Sequence, residues 1–419
     1  MNKIKTKKLK IVNEKTLLVA VDIGKVTPTG YCRCPRGRET KVFEFSNNAE
    51  GFKRLWDHIC WFRVANHLEE VVVGFESTGA YGEPLVNYLR KKPVKLVQVN
   101  PLHTKRLKEL QGNSPGKTDQ KDPKVIADII ELGHSLTVVI PEGAAAELRR
   151  LTQARERSVR RRTALFNQLQ DLVFVIFPEF LQAIVDIKSR SARYVLRHYP
   201  TPQEMVKCSV EALASILRRV SHGKLGKELA QALYEGARDS VGIGEGQKEI
   251  VFEIQEVLSW IESTEQFIAK VEQEMAKRLE QIPYSPLLLS VKGIGKVTVA
   301  GLIGEVGDFR QFHAGSEMLK LAGLDLFEIS SGQHQGNRHI SKRGRPLLRK
   351  LLFFAAINTV RKGGVMQALY QKYLQRGMPK IKALVAIARK LLRILFALVR
   401  DHSQYIENYS KTETLKWAA

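Results

Sequence analysis

The sequence predicts an α/β N-terminal domain, a long helical connecting region and a mostly helical, basic C-terminal domain. Three observations support this prediction. Apolar runs alternate with helical patterns over residues 1–142, long helical periodicities cover residues 143–283, and a basic helical pattern continues over residues 284–400. The last residues, 401–419, are polar and predict a frayed tail.

The N-terminal strands are indicated by nearly continuous apolar runs at residues 16–23, 71–75 and 94–99. Such runs are typical of strands that are buried on both faces of a sheet. Helical patterns lie between them, at residues 49–67 and 84–91. Strands interleaved with helices predict a mixed or parallel sheet in a domain that ends near residue 140.

The connecting region predicts two long helices of opposite charge. The first carries leucines at helical spacing and many arginines, and the second carries acidic residues outside a heptad seam. The seam consists of Ile250, Ile254, Val257, Ile261, Thr264, Ile268, Val271 and Met275. The two helices could pair as an antiparallel hairpin within the chain or between chains, and we expect an oligomer-forming coiled coil. Residues 186–246 indicate helices with loops and no chemistry.

The charge balance is the most informative feature of the composition. The 419 residues include 67 Lys and Arg against 43 Asp and Glu, which gives a formal net charge of +24. This excess predicts a polyanionic partner, and nucleic acid is the usual one because neutralised phosphates release counterions. An acidic membrane surface or a ribosome is the alternative.

Cysteine usage and hydropathy indicate the compartment. Cys32, Cys34, Cys60 and Cys208 form no C-x-x-C pair and no zinc-finger spacing. Residues 1–10 are basic but precede a strand, so we expect no secretory signal. Since no apolar run reaches the roughly 18 residues of a membrane span, we expect a soluble protein in a prokaryotic cytoplasm, associated with the nucleoid.

Four acidic residues form the first candidate site. Asp22 and Glu76 each end a buried strand, and Asp119 and Asp122 form a D-x-x-D pattern. Buried strand ends tolerate carboxylates only where a positive charge meets them, and hard oxygen donors suit Mg²⁺. Each acid also has a structural alternative: a phosphate-handling turn of a sugar-kinase-like domain for Asp22, a turn cap for Glu76, and a helix N-cap before a proline for Asp122.

A glycine turn between two apolar helical patterns is the second candidate. The segment resembles a helix-hairpin-helix, which grips phosphates without reading sequence. The alternative is a turn that only packs two helices together. The predicted nucleic-acid-binding residues of this turn are Lys292, Gly293, Gly295 and Lys296.

A serine pair followed by clustered cations is the third candidate. Ser330 and Ser331 precede Gly332, and four predicted nucleic-acid-binding residues follow: Arg338, Lys342, Arg343 and Arg345. A serine near cations and a metal could attack a phosphodiester and conserve its bond energy for rejoining. A Ser-Gly pair in a polar loop is otherwise common.

Together these segments resemble the Piv/MooV-type DNA invertases and the bridge-RNA-guided DEDD insertion-sequence transposases. The matching motifs are VAVDIGK, GFESTGAYGEP, KTDQKD, VKGIGKVTVAGLIGEVGDF and SSGQHQGNRHISKRGRPLLRKLL, and they span nearly the whole chain. The resemblance implies a RuvC-like (RNase H-like) N-terminal domain in which Asp22, Glu76, Asp119 and Asp122 bind Mg²⁺ or Mn²⁺. It also implies Ser331 as the nucleophile, with Ser330 as an adjacent alternative.

The resemblance further implies donor and target DNA as substrates, a structured guide RNA, and a homo-oligomer of two or four chains. The chain departs from the family pattern where Pro123 follows Asp122, because proline biases the preceding residue away from helical geometry. Gln333 and His334 also stand where glycine or lysine is usual in the family.

Three functions remain open at this point, with a fourth weaker one. The first is a serine- and metal-dependent recombinase, and the second is a RuvC-like nuclease that hydrolyses DNA with water. The third is a nucleic-acid-binding module without activity. A sugar-kinase-like function is the weakest, because nothing downstream resembles an adenosine site and the net charge is left unexplained.

Overall fold

The computed structural model describes residues 11–35, 37–76, 79–111, 122–328 and 338–407. The chain divides into two compact units: Met1–Glu142 together with Tyr284–Ala419, and Gly143–Pro283. The first unit therefore contains both the N-terminal α/β domain and the C-terminal helices. Asp119, Ser330 and Ser331 lie outside the described residues.

A six-stranded mixed sheet forms the centre of the α/β domain, with the strand order β3-β2-β1-β4-β5-β6. Its strands are β1 (Thr16–Asp22), β2 (Thr29–Arg33), β3 (Phe43–Glu44), β4 (Glu70–Glu76), β5 (Lys95–Val99) and β6 (Ser135–Thr137). Strands β1, β4 and β5 are parallel, and the other three pair antiparallel. The three predicted strands are confirmed, with ends that shift by no more than one residue.

Helices cover both faces of this sheet. Helices α1 (Ala49–Ala65) and α2 (Glu83–Leu89) pack on one face, and α4 (Asp122–Glu131) packs on the other, beside α3 (Pro101–Gln111). Alternate residues of β1 enter the two cores, which explains why its sequence is continuously apolar. Helix α4 approaches β4 closely, because a Cβ atom at Gly74 would lie 2.1 Å from Cδ1 of Ile130.

The second unit is built on two long antiparallel helices, α5 (Gly143–Ile176) and α11 (Gln247–Glu280). Ion pairs join Glu147 to Arg278 and Arg155 to Glu272, so residue numbers rise along one helix as they fall along the other. Seven of the eight predicted seam residues are buried, Ile250 being half-buried. The predicted pair of a basic and an acidic helix thus forms within one chain.

Shorter helices complete the second unit. They are α6 (Pro178–Ala183), α7 (Arg190–His198), α8 (Pro202–Met205), α9 (Val210–Val220) and α10 (Lys227–Arg238). Their apolar faces share a core with one end of the α5–α11 pair. The helices predicted over residues 186–246 are therefore confirmed.

The C-terminal part of the first unit is mainly helical. Its elements are α12 (Ser285–Leu289), α13 (Lys296–Val306), a short 3₁₀ helix (Phe309–Gln311), α14 (Gly315–Ala322), β7 (Leu326–Phe327), β8 (His339–Ile340), α15 (Pro346–Thr359), α16 (Gln367–Gln375) and α17 (Lys380–Arg400). Helix α17 supplies the core, with Ile387, Leu391 and Leu395 fully buried against its neighbours. In the described parts of the chain, no helix has the length and apolar character that a bilayer crossing requires.

Candidate active site

Asp22 and Glu76 lie side by side at one edge of the sheet. They directly follow Val21 and Phe75, which face each other in the parallel β1–β4 register. Neighbouring strands are about 4.8 Å apart, so the backbones of Asp22 and Glu76 lie next to each other. Both residues are half-buried. The structure thus brings together the two strand-end acids that the sequence singled out.

Helix α3 holds the carboxylate of Glu76. The Thr104 hydroxyl lies 2.9 Å from Oε2 of Glu76 and 2.8 Å from the carbonyl oxygen of Pro101, so its single proton is shared between two acceptors. Thr104 is only 3% exposed. No donor to Oε1 of Glu76 occurs among the described residues. Among the described residues, one carboxylate oxygen of Glu76 is therefore held and the other has no donor.

Helix α4 runs antiparallel to β1, as two of its contacts show. Asp128, in its second half, pairs with Arg33 of β2 at 2.6 Å. Nζ of Lys124, in the first turn of α4, lies 5.3 Å from the ring centroid of Tyr31. Tyr31 is two residues closer than Arg33 to the end of the sheet that carries Asp22. The N-terminal end of α4 therefore points towards the edge formed by the ends of β1 and β4.

Asp122 is the first residue of α4. Its Oδ1 forms an ion pair with Nζ of Lys108 at 2.6 Å, and its side chain is 13% exposed. The helix starts here although Pro123 follows, because the first turn of a helix tolerates a residue without an N–H. Pro123 thus does not prevent a helix at this position, and Lys108 supplies the positive charge that Asp122 needs.

The carboxylates fit a hard divalent cation by their chemistry, since oxygen donors are what Mg²⁺ and Mn²⁺ prefer. The described carboxylates do not by themselves form a full set of metal ligands. Over the described ranges, no three His, Cys, Asp or Glu side chains are grouped closely enough to hold a metal ion. The fourth predicted acid, Asp119, falls in the undescribed residues 112–121.

A basic loop at residues 341–345 is fixed against the end of α14. The backbone N–H of Lys342 donates to the carbonyl of Gly323 at 2.9 Å, and the N–H of Arg345 donates to that of Leu321 at 2.8 Å. Gly323 has φ +65°, a conformation that favours glycine. A Cβ atom at Gly344 would lie 2.3 Å from the backbone nitrogen of Gly323. The loop therefore depends on two glycines in direct backbone contact.

The four cations predicted here as nucleic-acid ligands differ in their surroundings. Arg345 donates to the backbone carbonyls of Glu305 and Val139, which favours a structural role because it ties α13 to the end of the sheet. Arg338 pairs with Glu328 at 2.8 Å. Lys342 and Arg343 are exposed. The exposed pair is accessible from solvent, as a phosphate contact requires.

The charge of Arg343, in the basic loop, acts on His103 of α3. Burial lowers the pKa of His103, and the nearby charge of Arg343 lowers it further. His103 immediately precedes Thr104 in α3, the residue that holds Glu76. A charge of the loop that follows the two serines in sequence therefore acts on the helix that positions a predicted metal ligand.

The glycine turn lies between α12 and α13 as predicted. Gly293 has φ +97°, and Gly295 precedes the first residue of α13, Lys296. Lys292 and Lys296 are both exposed. The turn thus presents two cations to solvent.

Comparison with known proteins decides the family. A DEDD-type transposase model of the IS110 group matches residues 19–178, and a model described as "Transposase IS116/IS110/IS902 family" matches residues 285–371. The chain belongs to this transposase family. Membership means an enzyme that acts on DNA, cutting and rejoining it, and it suggests a divalent metal.

The chain is also similar to individual proteins of insertion elements and to a gene-inverting protein. An insertion element IS110 protein of Streptomyces coelicolor is 22% identical, over 93% of this chain and 95% of its own length. The transposase for insertion sequence IS1111A of Coxiella burnetii is 26% identical, over 69% and 68%. A pilin gene-inverting protein of Moraxella bovis is 30% identical over 28% of this chain and 38% of its own length.

Sequence reasoning missed the residues of α3 that contact the acids. Thr104 and Lys108 are ordinary polar residues in a short helix, and no motif distinguishes them. Their position in the fold could have identified them. Helix α3 follows β5 at the carboxyl ends of the parallel strands, where ligands bind in open α/β sheets.

Replacement of Gly344 by alanine is expected to loosen the basic loop of the transposase. The new Cβ would meet the backbone of Gly323 and Leu321, which cannot move as a side-chain end does, and such overpacking costs about 1–3 kcal/mol. Thermal unfolding of the whole chain measures this loss. Gly244→Ala is the matched control, because a Cβ atom there meets nothing within 4 Å. Equal melting temperatures of the two variants would show that Gly344 does not need its close backbone contact.

Proposed function

We propose that this transposase cuts and rejoins DNA through a phosphodiester linked to Ser331, assisted by a cation held by Asp22, Glu76, Asp119 and Asp122. The observation that carries the proposal is the placement of Asp22 and Glu76 at neighbouring strand ends, with Thr104 holding Glu76. Strands β7 and β8 pair with each other and bracket the segment that contains both serines. This arrangement supports a serine and a carboxylate edge working on one DNA strand.

The proposed reaction needs no external energy source. Oγ of Ser331 forms a bond to phosphorus while the bond to one bridging oxygen breaks, and that oxygen leaves with a proton as a free DNA hydroxyl. A hydroxyl of the second DNA end then attacks the same phosphorus and releases the serine. One phosphodiester is lost and one is gained, so the bond energy is conserved.

The residues of this chain have separate roles in the proposal. Asp22 and Glu76 would hold Mg²⁺ or Mn²⁺ through their carboxylate oxygens at the ends of β1 and β4. Asp122 would release its ion pair with Lys108 and bind the ion instead. The ion, when bound, supplies stabilisation of charge on the phosphate oxygens. Lys342 and Arg343 would bind the non-bridging oxygens, because exposed cations without a described acidic partner are available for that contact.

A structured guide RNA and an oligomer of two or four chains complete the proposal. The net charge of +24 favours binding of polyanions, which suits an RNA as well as DNA. Most of the heptad seam is buried within the chain, so contacts between subunits would use other surfaces.

Incubation of the purified chain with DNA carrying both element ends, RNA transcribed from the flanking sequence, and Mg²⁺ tests the function. We expect a covalent protein–DNA species on a denaturing gel and joined DNA products, both absent when EDTA replaces Mg²⁺. Nicked DNA with free ends and no adduct would instead indicate hydrolysis by water. DNA that is bound but unchanged would indicate a module without activity.

Replacement of Thr104 by valine is expected to weaken metal binding by roughly 10- to 100-fold, the usual cost of losing a partner behind a metal ligand. Valine keeps the shape of the buried side chain but cannot donate to Oε2 of Glu76. Titration with Mn²⁺, followed by electron paramagnetic resonance, measures the affinity. Thr104→Ser keeps the hydroxyl and should bind as the parent does. If valine and serine variants bound Mn²⁺ equally, Thr104 would have no positioning role.

A further inference from the structure

The turn after α15 places two cations next to the glycine turn. Thr359, the last residue of α15, is fully buried, and its carbonyl accepts from the N–H of Met366 at 2.9 Å. The N–H of Gly364 donates to the carbonyl of Arg361 at 2.8 Å. The chain therefore closes a tight turn, in which Arg361 and Lys362 are both exposed.

The two turns are in direct contact, although they are distant in sequence. A Cβ atom at Gly293 would lie 3.2 Å from Cγ2 of Thr359 and 3.4 Å from the carbonyl oxygen of Asn358. Gly293 also has a positive φ, so glycine is needed there for conformation as well as for close approach. The contact brings together a set of cations that we call the paired-turn surface: Lys292, Lys296, Arg361 and Lys362.

The paired-turn surface has no carboxylate of its own. Neither turn contains Asp or Glu, and the sequence between Glu328 and Asp401 has sixteen Lys and Arg and no acid at all. Within the described ranges, none of the four cations forms a salt bridge. Four exposed charges of one sign on adjoining turns repel each other, and a polyanion removes that repulsion.

The chemistry of the surface favours the backbone of a duplex over single-stranded bases. Proteins bind single strands largely by stacking bases on aromatic side chains. Residues 290–296 and 359–364 contain no aromatic residue. Lys and Arg on turns match phosphate oxygens, which fix a duplex in place without reading its sequence.

We propose that the paired-turn surface binds the phosphate backbone of duplex DNA, with Arg361 and Lys362 acting together with Lys292 and Lys296. The inference rests on the proposed function for its DNA substrate and adds the contact by which the duplex is held. Its two new residues come from a different part of the chain than the glycine turn. The surface makes no distinction between sequences, since it contacts no base.

Equilibrium binding of the whole chain to fluorescent duplexes, in EDTA and over a range of salt concentrations, tests the proposal. EDTA removes the metal, so binding is measured apart from strand cutting, and a failure of the catalytic proposal leaves the result interpretable. The variant is Arg361→Gln with Lys362→Gln. The charge-matched control is Lys41→Gln with Lys53→Gln, two exposed lysines of the α/β domain.

We expect the Arg361/Lys362 variant to bind duplex DNA roughly tenfold to a hundredfold more weakly, with the log–log salt slope reduced by about 2, close to one unit for each lost phosphate contact. Two duplexes of unrelated sequence should lose affinity equally, and the control should change little. A loss no larger than that of the control would overturn the proposal. So would a loss seen only with single-stranded DNA or with a structured RNA of the same length.

Discussion

Replacement of Ser331 by alanine is expected to abolish the covalent protein–DNA species and to lower strand exchange by at least about a thousandfold. Removal of a catalytic serine nucleophile costs on the order of 10⁶-fold in a well-studied protease, and alanine offers no oxygen to bond to phosphorus. A denaturing gel measures the adduct, and amplification across the new junction measures exchange. The same variant should still bind duplex DNA, because that contact is assigned to other residues.

Ser330→Ala is the matched control for this prediction, since it removes the same group one residue earlier. We expect it to keep the adduct, and mass spectrometry of the parent adduct should find the nucleotide on Ser331. Exchange at the parental rate in the Ser331 variant would show the nucleophile assignment to be wrong. Loss of the adduct in the Ser330 variant alone would assign the nucleophile to Ser330.

Replacement of Glu76 by glutamine is expected to lower the metal-dependent rate by a factor on the order of 10² to 10⁴. Glutamine keeps the length and one oxygen, but it removes the charge that a divalent cation requires of this edge. Asp22→Asn should have a similar effect, because Asp22 occupies the neighbouring strand end. The rate of adduct formation, measured over a Mg²⁺ titration, tests both variants.

Glu70→Gln provides a control within the same strand. Glu70 begins β4, at the opposite edge of the sheet, and its carboxylate pairs with Lys95 at 2.9 Å on the surface. A hydrogen bond from Lys95 lowers the pKa of Glu70, so this carboxylate is charged at neutral pH. We expect activity to persist in this variant. Equal losses from Glu70→Gln and Glu76→Gln would show that the effect is not specific to the carboxylate edge.

The sequence predicted those features whose signal is local. Strands β1 and β4 each combine an unbroken apolar run with a final acid, so their burial and the positions of Asp22 and Glu76 follow from adjacent residues. The glycine turn was predictable for the same reason, because Gly293 needs a conformation that other residues rarely adopt. Local patterns of this kind depend on few long-range contacts.

Features that depend on long-range packing were not predictable in this way. The heptad seam of α11 shows that a partner helix exists but not that α5 of the same chain fills the role. Arg345 looks like another phosphate ligand in sequence, yet its guanidinium meets the backbone of Val139, which is about two hundred residues away. Thr104 is distinguished only by the acid that β4 brings to it.

The most direct test of the account replaces Mg²⁺ by Fe²⁺ in a complex of the transposase with DNA and generates hydroxyl radicals at the bound ion. Such radicals cut the protein backbone only close to the metal. We expect cuts at two places, near Asp22 and Glu76 and within residues 329–337, because one phosphate is contacted from both sides. Cuts confined to the carboxylate edge, with the serine segment intact in every subunit, would contradict it.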